Sequence, residues 1–171
     1  FSFTFNGPII EDKLFFSLGY EKYEASDPLS LLGFQSGLVT KAEADMVIKA
    51  AMDVIGYNAG AYNKAREEED EKTFLRLDAN LSENHNLTFS YNLTKGFTES
   101  AYFNRTWGLP LSSNWYRINK EYESMKMEFN SNWTDNFSTK ILISDTDVSN
   151  PNTPVGATTI GEVGIRVASG G

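Results

Sequence analysis

The chain has 171 residues, enough for one ordinary domain, with a formal net charge of −8, 40% hydrophobic and 13% aromatic residues. The acidic balance argues against a nucleic-acid surface, which needs a basic patch, and the hydrophobic content argues against a disordered chain. Cysteine is absent, which removes disulfide staples, Cys-containing zinc sites and thiol catalysis together. No apolar run reaches the ~18 residues of a transmembrane helix, although a β-barrel needs none.

The first run, Phe1 to Asn6, alternates aromatic and small polar residues. Gly7-Pro8 predicts a break and Glu11-Asp12 a turn. A second strand is expected from about Lys13 to Glu24, with Leu14, Phe16, Leu18 and Tyr20 on one face. The stretch 25–71 then reads as a long loop carrying one helix. Thr40 and Glu43 match a capping box, Ala44, Val47, Ile48, Ala51, Met52 and Ile55 recur at helical spacing, and Gly56 stands where the helix should stop. The run Arg66–Glu71 reads as an acidic, solvated stretch.

The third and fourth strands are expected near 72–82 and 86–97 as a hairpin. Leu75, Leu77, Ala79 and Leu81 can share a face with Leu87, Phe89, Tyr91 and Leu93. A long link over 95–113 follows. The fifth strand is expected over Asn114–Trp133 and the sixth from Phe137, with Thr139, Ile141 and Ile143 outward. A third long link is expected over 145–158, and Val163, Ile165 and Val167 alternate as in a seventh strand.

Short links at Asn6–Asp12, Ser82–Asn86 and Asn132–Asn136 therefore alternate with long ones. Strands longer than the usual ~5–6 residues, short turns at one end and long loops at the other are what a transmembrane β-barrel requires. Trp133 and Phe137 toward one end, with Tyr20, Tyr23 and Tyr91 toward the other, suit two interface girdles. The predicted fold is all-β: an antiparallel up-and-down meander forming a partial barrel, with an amphipathic helix in a long extracellular loop. Phe1-Ser2-Phe3-Thr4-Phe5 is a strand without a basic leader, and Ser169-Gly170-Gly171 brings no closing element. An internal piece of a larger protein is therefore expected.

Gly7-Pro8-Ile9-Ile10-Glu11-Asp12-Lys13-Leu14-Phe15-Phe16, ending in Tyr20-Glu21-Lys22-Tyr23, resembles the early-barrel signature of Oar-like TonB-dependent outer-membrane receptors. The helix leading into Gly56-Tyr57-Asn58-Ala59-Gly60, and Leu77-Asp78-Ala79-Asn80 before Asn84-His85, are similar to segments of the same receptors. The resemblance covers most of residues 1–145 in order. It implies a barrel of about twenty-two strands around a plug domain, of the kind described for large outer-membrane transporters. It also implies import of a scarce nutrient across the bacterial outer membrane, driven through a TonB complex. The whole chain, 1–171, would be the N-terminal part of the barrel wall. Lipid, lipopolysaccharide, the plug, the TonB complex and an unidentified solute would be its partners.

A lysine or arginine facing lipid at mid-depth costs ~2–4 kcal/mol. Arg76, Asp78, Lys126, Glu128 and Lys140 are therefore expected to line the lumen or touch the plug. The loop aromatics Tyr102, Phe103, Trp107, Trp115 and Tyr116 could grip a solute, form a core of the outer loops or make an interface belt. His85 is the only histidine and sits in a turn with no catalytic arrangement around it, so no enzyme is expected. Glu67–Glu71 lacks the spacing of a calcium loop, and no metal or cofactor is expected. Six N-x-S/T sequons, at Asn80, Asn86, Asn92, Asn104, Asn132 and Asn136, follow from a polar face rich in Asn, Ser and Thr. The alternative is a soluble secreted β-sheet module binding a carbohydrate or another ligand, because a half-buried sheet shows the same alternation.

Overall fold

The computed structural model describes residues 1–28, 32–101 and 108–167, with the backbone alone at 32 and 33. Its elements are β1 (Ser2–Ile10), β2 (Leu14–Asp27), α1 (Leu32–Gln35), α2 (Lys41–Ile55), β3 (Arg66–Ser82), β4 (His85–Ala101), β5 (Trp115–Thr134), β6 (Phe137–Ser149) and β7 (Asn152–Pro154). A 3-10 turn at Ser112–Asn114 leads into β5. The strands form one antiparallel up-and-down meander in the order β1-β2-β3-β4-β5-β6, with β7 also paired to β5.

Three boundaries differ from those expected. Gly7-Pro8 does not end β1, because the strand runs on to Ile10 and Pro8 stands opposite Phe15. Among the described strands β1 pairs only with β2, and an edge strand tolerates a residue with no N–H to donate. The acidic run Arg66–Glu71 is strand, not a solvated loop. Cations distant in sequence make this possible: Lys22 pairs with Glu69 at 3.4 Å, and Arg117 pairs with Glu67 at 3.3 Å. Finally, the stretch 145–158 is largely paired, since β6 reaches Ser149 and β7 covers Asn152–Pro154. Ser149 stands opposite Glu121 and Asn152 opposite Ile118, so β7 keeps the register of β6 across Pro151. Val163, Ile165 and Val167 are not in a strand.

The chain forms two compact units. The first comprises Phe1–Glu24, Glu69–Gly96 and Asn119–Asn150. Tight turns at Glu11–Lys13, Glu83-Asn84 and Asp135-Asn136 join its hairpins. Asp12 supplies the positive φ of the first turn, at 60°, and aspartate tolerates the left-handed region better than most residues. Gly96 is demanded by close approach, because a Cβ there would lie 2.4 Å from the carbonyl oxygen of Glu69.

Strand alternation gives this unit two unlike faces. On one face Phe3 and Phe5 stand opposite Tyr20 and Leu18, and Met127 and Phe129 stand opposite Ile143 and Ile141. On the other face Thr4 and Asn6 stand opposite Gly19 and Ser17, and Asn130 stands opposite Lys140. Phe5, Phe137, Ile141 and Ile143 are each more than half exposed, and none of the chain's buried hydrophobic residues, among those described, belongs to this unit.

The second unit comprises Ala25–Glu68, Phe97–Ile118 and Pro151–Gly171, and holds the buried Ala44, Ala59 and Trp115. Helix α2 begins as its sequence predicts. The Thr40 hydroxyl accepts from the Glu43 amide at 3.3 Å, and the Glu43 carboxylate accepts from the Thr40 amide at 2.9 Å. Gly56 closes it in the left-handed conformation, at φ 65°. Ala44 is buried, Val47, Ile48 and Ala51 are half-buried, and Lys49 and Asp53 pair on the exposed side. Met52 and Ile55 remain exposed, so the apolar stripe packs only through its first three turns.

Candidate functional site

The polar face of the first unit collects all five charges expected at the lumen. Arg76 donates from Nε and Nη2 to the two oxygens of Asp78, at 2.7 and 2.8 Å. This fork-to-carboxylate pairing sets both side chains in one plane. Thr88 on β4 donates its hydroxyl to Asp78 at 2.8 Å. On β5 and β6, Glu128 receives Lys140 at 2.8 Å, Asn130 at 3.0 Å and Lys126 at 3.5 Å. The alternation that brings these groups together sends Leu77 and Ile141 to the opposite face. Each of these five charges has an opposite charge beside it.

The apolar face ends at a double level of polar pairs. Tyr20 donates its hydroxyl to Glu71 at 2.9 Å, and Tyr91 donates to Glu123 at 3.0 Å. Two residues beyond Tyr20 on β2, Lys22 meets Glu24 at 2.9 Å, and four residues beyond Tyr91 on β4, Lys95 meets Glu121 at 2.7 Å. The same order, apolar run then tyrosine then lysine, therefore recurs on two hairpins. Tyr23, also expected in this girdle, falls one position out of phase with Tyr20 and belongs to the polar face. Toward the turns, Trp133 and Phe137 are more than half exposed, and Trp133 Nε1 donates to Thr139 at 2.9 Å. His85 lies against Trp133 with ring centres 4.9 Å apart, and its Nδ1 bonds the Ser131 hydroxyl at 2.5 Å. Ser131 is buried.

The second unit contains a charged centre that sequence reasoning missed. Glu99 is fully buried, 0% exposed. Lys64 Nζ donates to both of its oxygens at 2.9 Å. Arg117 reaches it through Nε at 3.2 Å and Nη2 at 3.1 Å, and the Glu67 amide donates at 3.2 Å. Burial pushes the Glu99 carboxyl up, but Lys64, the Glu67 amide and Arg117 together outweigh it and hold the group below the usual carboxylate range. The Arg117 guanidinium also lies 4.2 Å from the centre of the Phe97 ring. The only sequence signal was a Glu in the same phase as Leu93 and Phe97, on the otherwise apolar side of β4, which gives no hint of its partners.

The loop aromatics divide. Tyr102, Phe103 and Trp107 lie outside the described residues. Trp115 is 1% exposed, with Lys64 Nζ 5.6 Å from its ring, so it forms core rather than a surface for a solute. Tyr116 is half-buried and stands opposite Pro154. Among the described residues no three metal-ligating side chains come together. No family model, curated protein or solved structure matches this chain.

Proposed function

We propose that this chain is part of the barrel wall of a TonB-dependent receptor importing a scarce nutrient across the bacterial outer membrane. The observation that carries the proposal is the first unit's exposed apolar face, backed by a polar face of matched charges. From Leu87 to Lys95 about eight steps of ~3.3 Å cover ~26 Å, or ~20 Å of depth at a tilt of ~40°. With a tyrosine level above and Trp133 and Phe137 below, that fits an outer-membrane apolar band of ~25 Å. Such a face exposed to water would be an aggregation site.

On this reading Leu77, Phe89, Met127 and Ile141 touch lipid. Arg76, Asp78, Lys126, Glu128 and Lys140 line the lumen or meet the plug. The Lys22 and Lys95 level lies at the lipopolysaccharide headgroups. Exposed ion pairs of this kind contribute only ~0–1 kcal/mol each, so the lipid contact, not the charge level, sets the stability of the wall.

The test is fractionation of the full-length protein from a Gram-negative host, together with sequencing of the coding DNA around this segment. Sedimentation with outer membranes and heat-modifiable migration are expected, along with an upstream plug-like domain and many further amphipathic strands. A protein recovered in the soluble secreted fraction would overturn the proposal in favour of a carbohydrate- or ligand-binding sheet module.

A further inference from the structure

The helix-bearing stretch could close over a pore or stand fixed beside it. We infer that residues 57–64, and with them α2, are a fixed buttress on β4 and β5, locked by the buried Glu99, and not a moving lid. The lock is built from several independent contacts, all within the second unit. Lys64 ends the insert and is held bidentately by Glu99 of β4, which is held in turn by Arg117 of β5. Three residues earlier, the Ala61 amide donates to the Ser112 hydroxyl at 2.9 Å, and the Ser112 amide donates back to the Ala61 carbonyl at 2.9 Å. The Ser113 amide reaches the Ala59 carbonyl at 3.4 Å. Ala59 and Ser112 are both buried.

The backbone between them has no slack. Gly60 sits at φ +74°, and a Cβ there would lie 2.2 Å from the Ser112 hydroxyl oxygen. Behind Ser113 a Cβ on Gly156 would lie 2.2 Å from the Ser113 carbonyl oxygen, so the chain is pressed from both sides. The clamp is coupled to the helix, since the Tyr62 hydroxyl donates to Asp45 of α2 at 3.0 Å and its ring meets Phe34 edge-on at 5.1 Å. Opening this stretch would take Lys64 away from a fully buried carboxylate. Breaking a buried pair on one side is far more costly than breaking an exposed one. A lid is drawn from the least stable parts of a fold, and this segment has the opposite character.

The lock stands on these contacts alone; only its meaning as a buttress beside a pore rests on the transporter reading. The experiment is amide hydrogen exchange on the full-length protein in detergent at one pH, with Glu99→Gln and Lys64→Met as variants. In the unsubstituted protein the amides of Ala61, Ser112 and Ser113 should exchange ~10-fold or more slower than a free loop. Both variants should speed exchange across 57–64 and α2 by ~10-fold or more and leave the β1–β2 hairpin unchanged. Free-loop exchange of 57–64 in the unsubstituted protein overturns the inference, even if neither variant assembles. So does unchanged exchange in two assembled variants. Slow exchange in a protein that proves soluble would keep the lock and sink the transporter reading instead.

Discussion

Phe89→Lys places a charge at the middle of the apolar face. Phe89 lies between the Glu83-Asn84 turn and Lys95, about six residue steps below the lysine. On the proposed reading, at ~3.3 Å per step and a tilt of ~40°, that is ~15 Å of depth, near the midplane of a ~25 Å band. A lysine there costs ~2–4 kcal/mol, a ~30- to ~900-fold loss in the folding equilibrium. Ser90→Lys, one residue away on the polar face beside Arg76 and Asp78, should cost under about 0.5 kcal/mol. The assay is urea titration of the full-length protein folded into lipid vesicles, scored by heat-modifiable migration. Leu77→Arg should behave like Phe89→Lys. Equal stability of Phe89→Lys and Ser90→Lys would refute the face assignment. A large cost for Phe89→Lys in a protein that folds without lipid would instead place this face against a second protein layer.

Gly96→Ala should lower assembly of the sheet, because its Cβ would press on the Glu69 carbonyl oxygen, backbone that cannot swing aside; on the proposed reading, assembled protein in outer-membrane fractions measures this. Thr40→Ala should destabilise α2 locally by about 0.5–2 kcal/mol through loss of the capping box, read as faster amide exchange in Lys41–Ala44 with β3 and β4 unaffected. The Glu99 carboxyl is held below its usual range, so its contribution is complete above the ordinary carboxylate pKa and is lost as pH falls through the lower folded value. A nitroxide at the exposed Asn63 should therefore keep constant mobility from neutral pH down to the ordinary carboxylate range, and loosen only below it. Glu99→Gln should abolish that transition, and loosening well above that range would contradict the assignment.

The regular elements were legible because their signals are local. A period of two in 73–81, 87–94 and 137–144 marks the strands and their faces, and it separates Arg76 from Leu77 without any knowledge of neighbours. The Thr40–Glu43 box and Gly56 mark both ends of α2 within a few residues. What the sequence left open depends on partners brought from afar. Arg66–Glu71 is a self-repelling run in one dimension, and becomes strand only when Lys22 and Arg117 arrive beside it. The stretch 145–158 reads as a long link, yet much of it is paired because β5 extends far enough to receive it on both sides of Pro151. Glu99 gives no sign of burial in the sequence and Trp115 reads equally as a solute grip or a core of the loops, and only Lys64 and Arg117, brought from elsewhere in the chain, make Glu99 a buried charged centre beside a buried Trp115. The alternation determined which side each strand shows to its surroundings. Tertiary structure decided which charges are buried, since burial is set by neighbours tens of residues away in the chain.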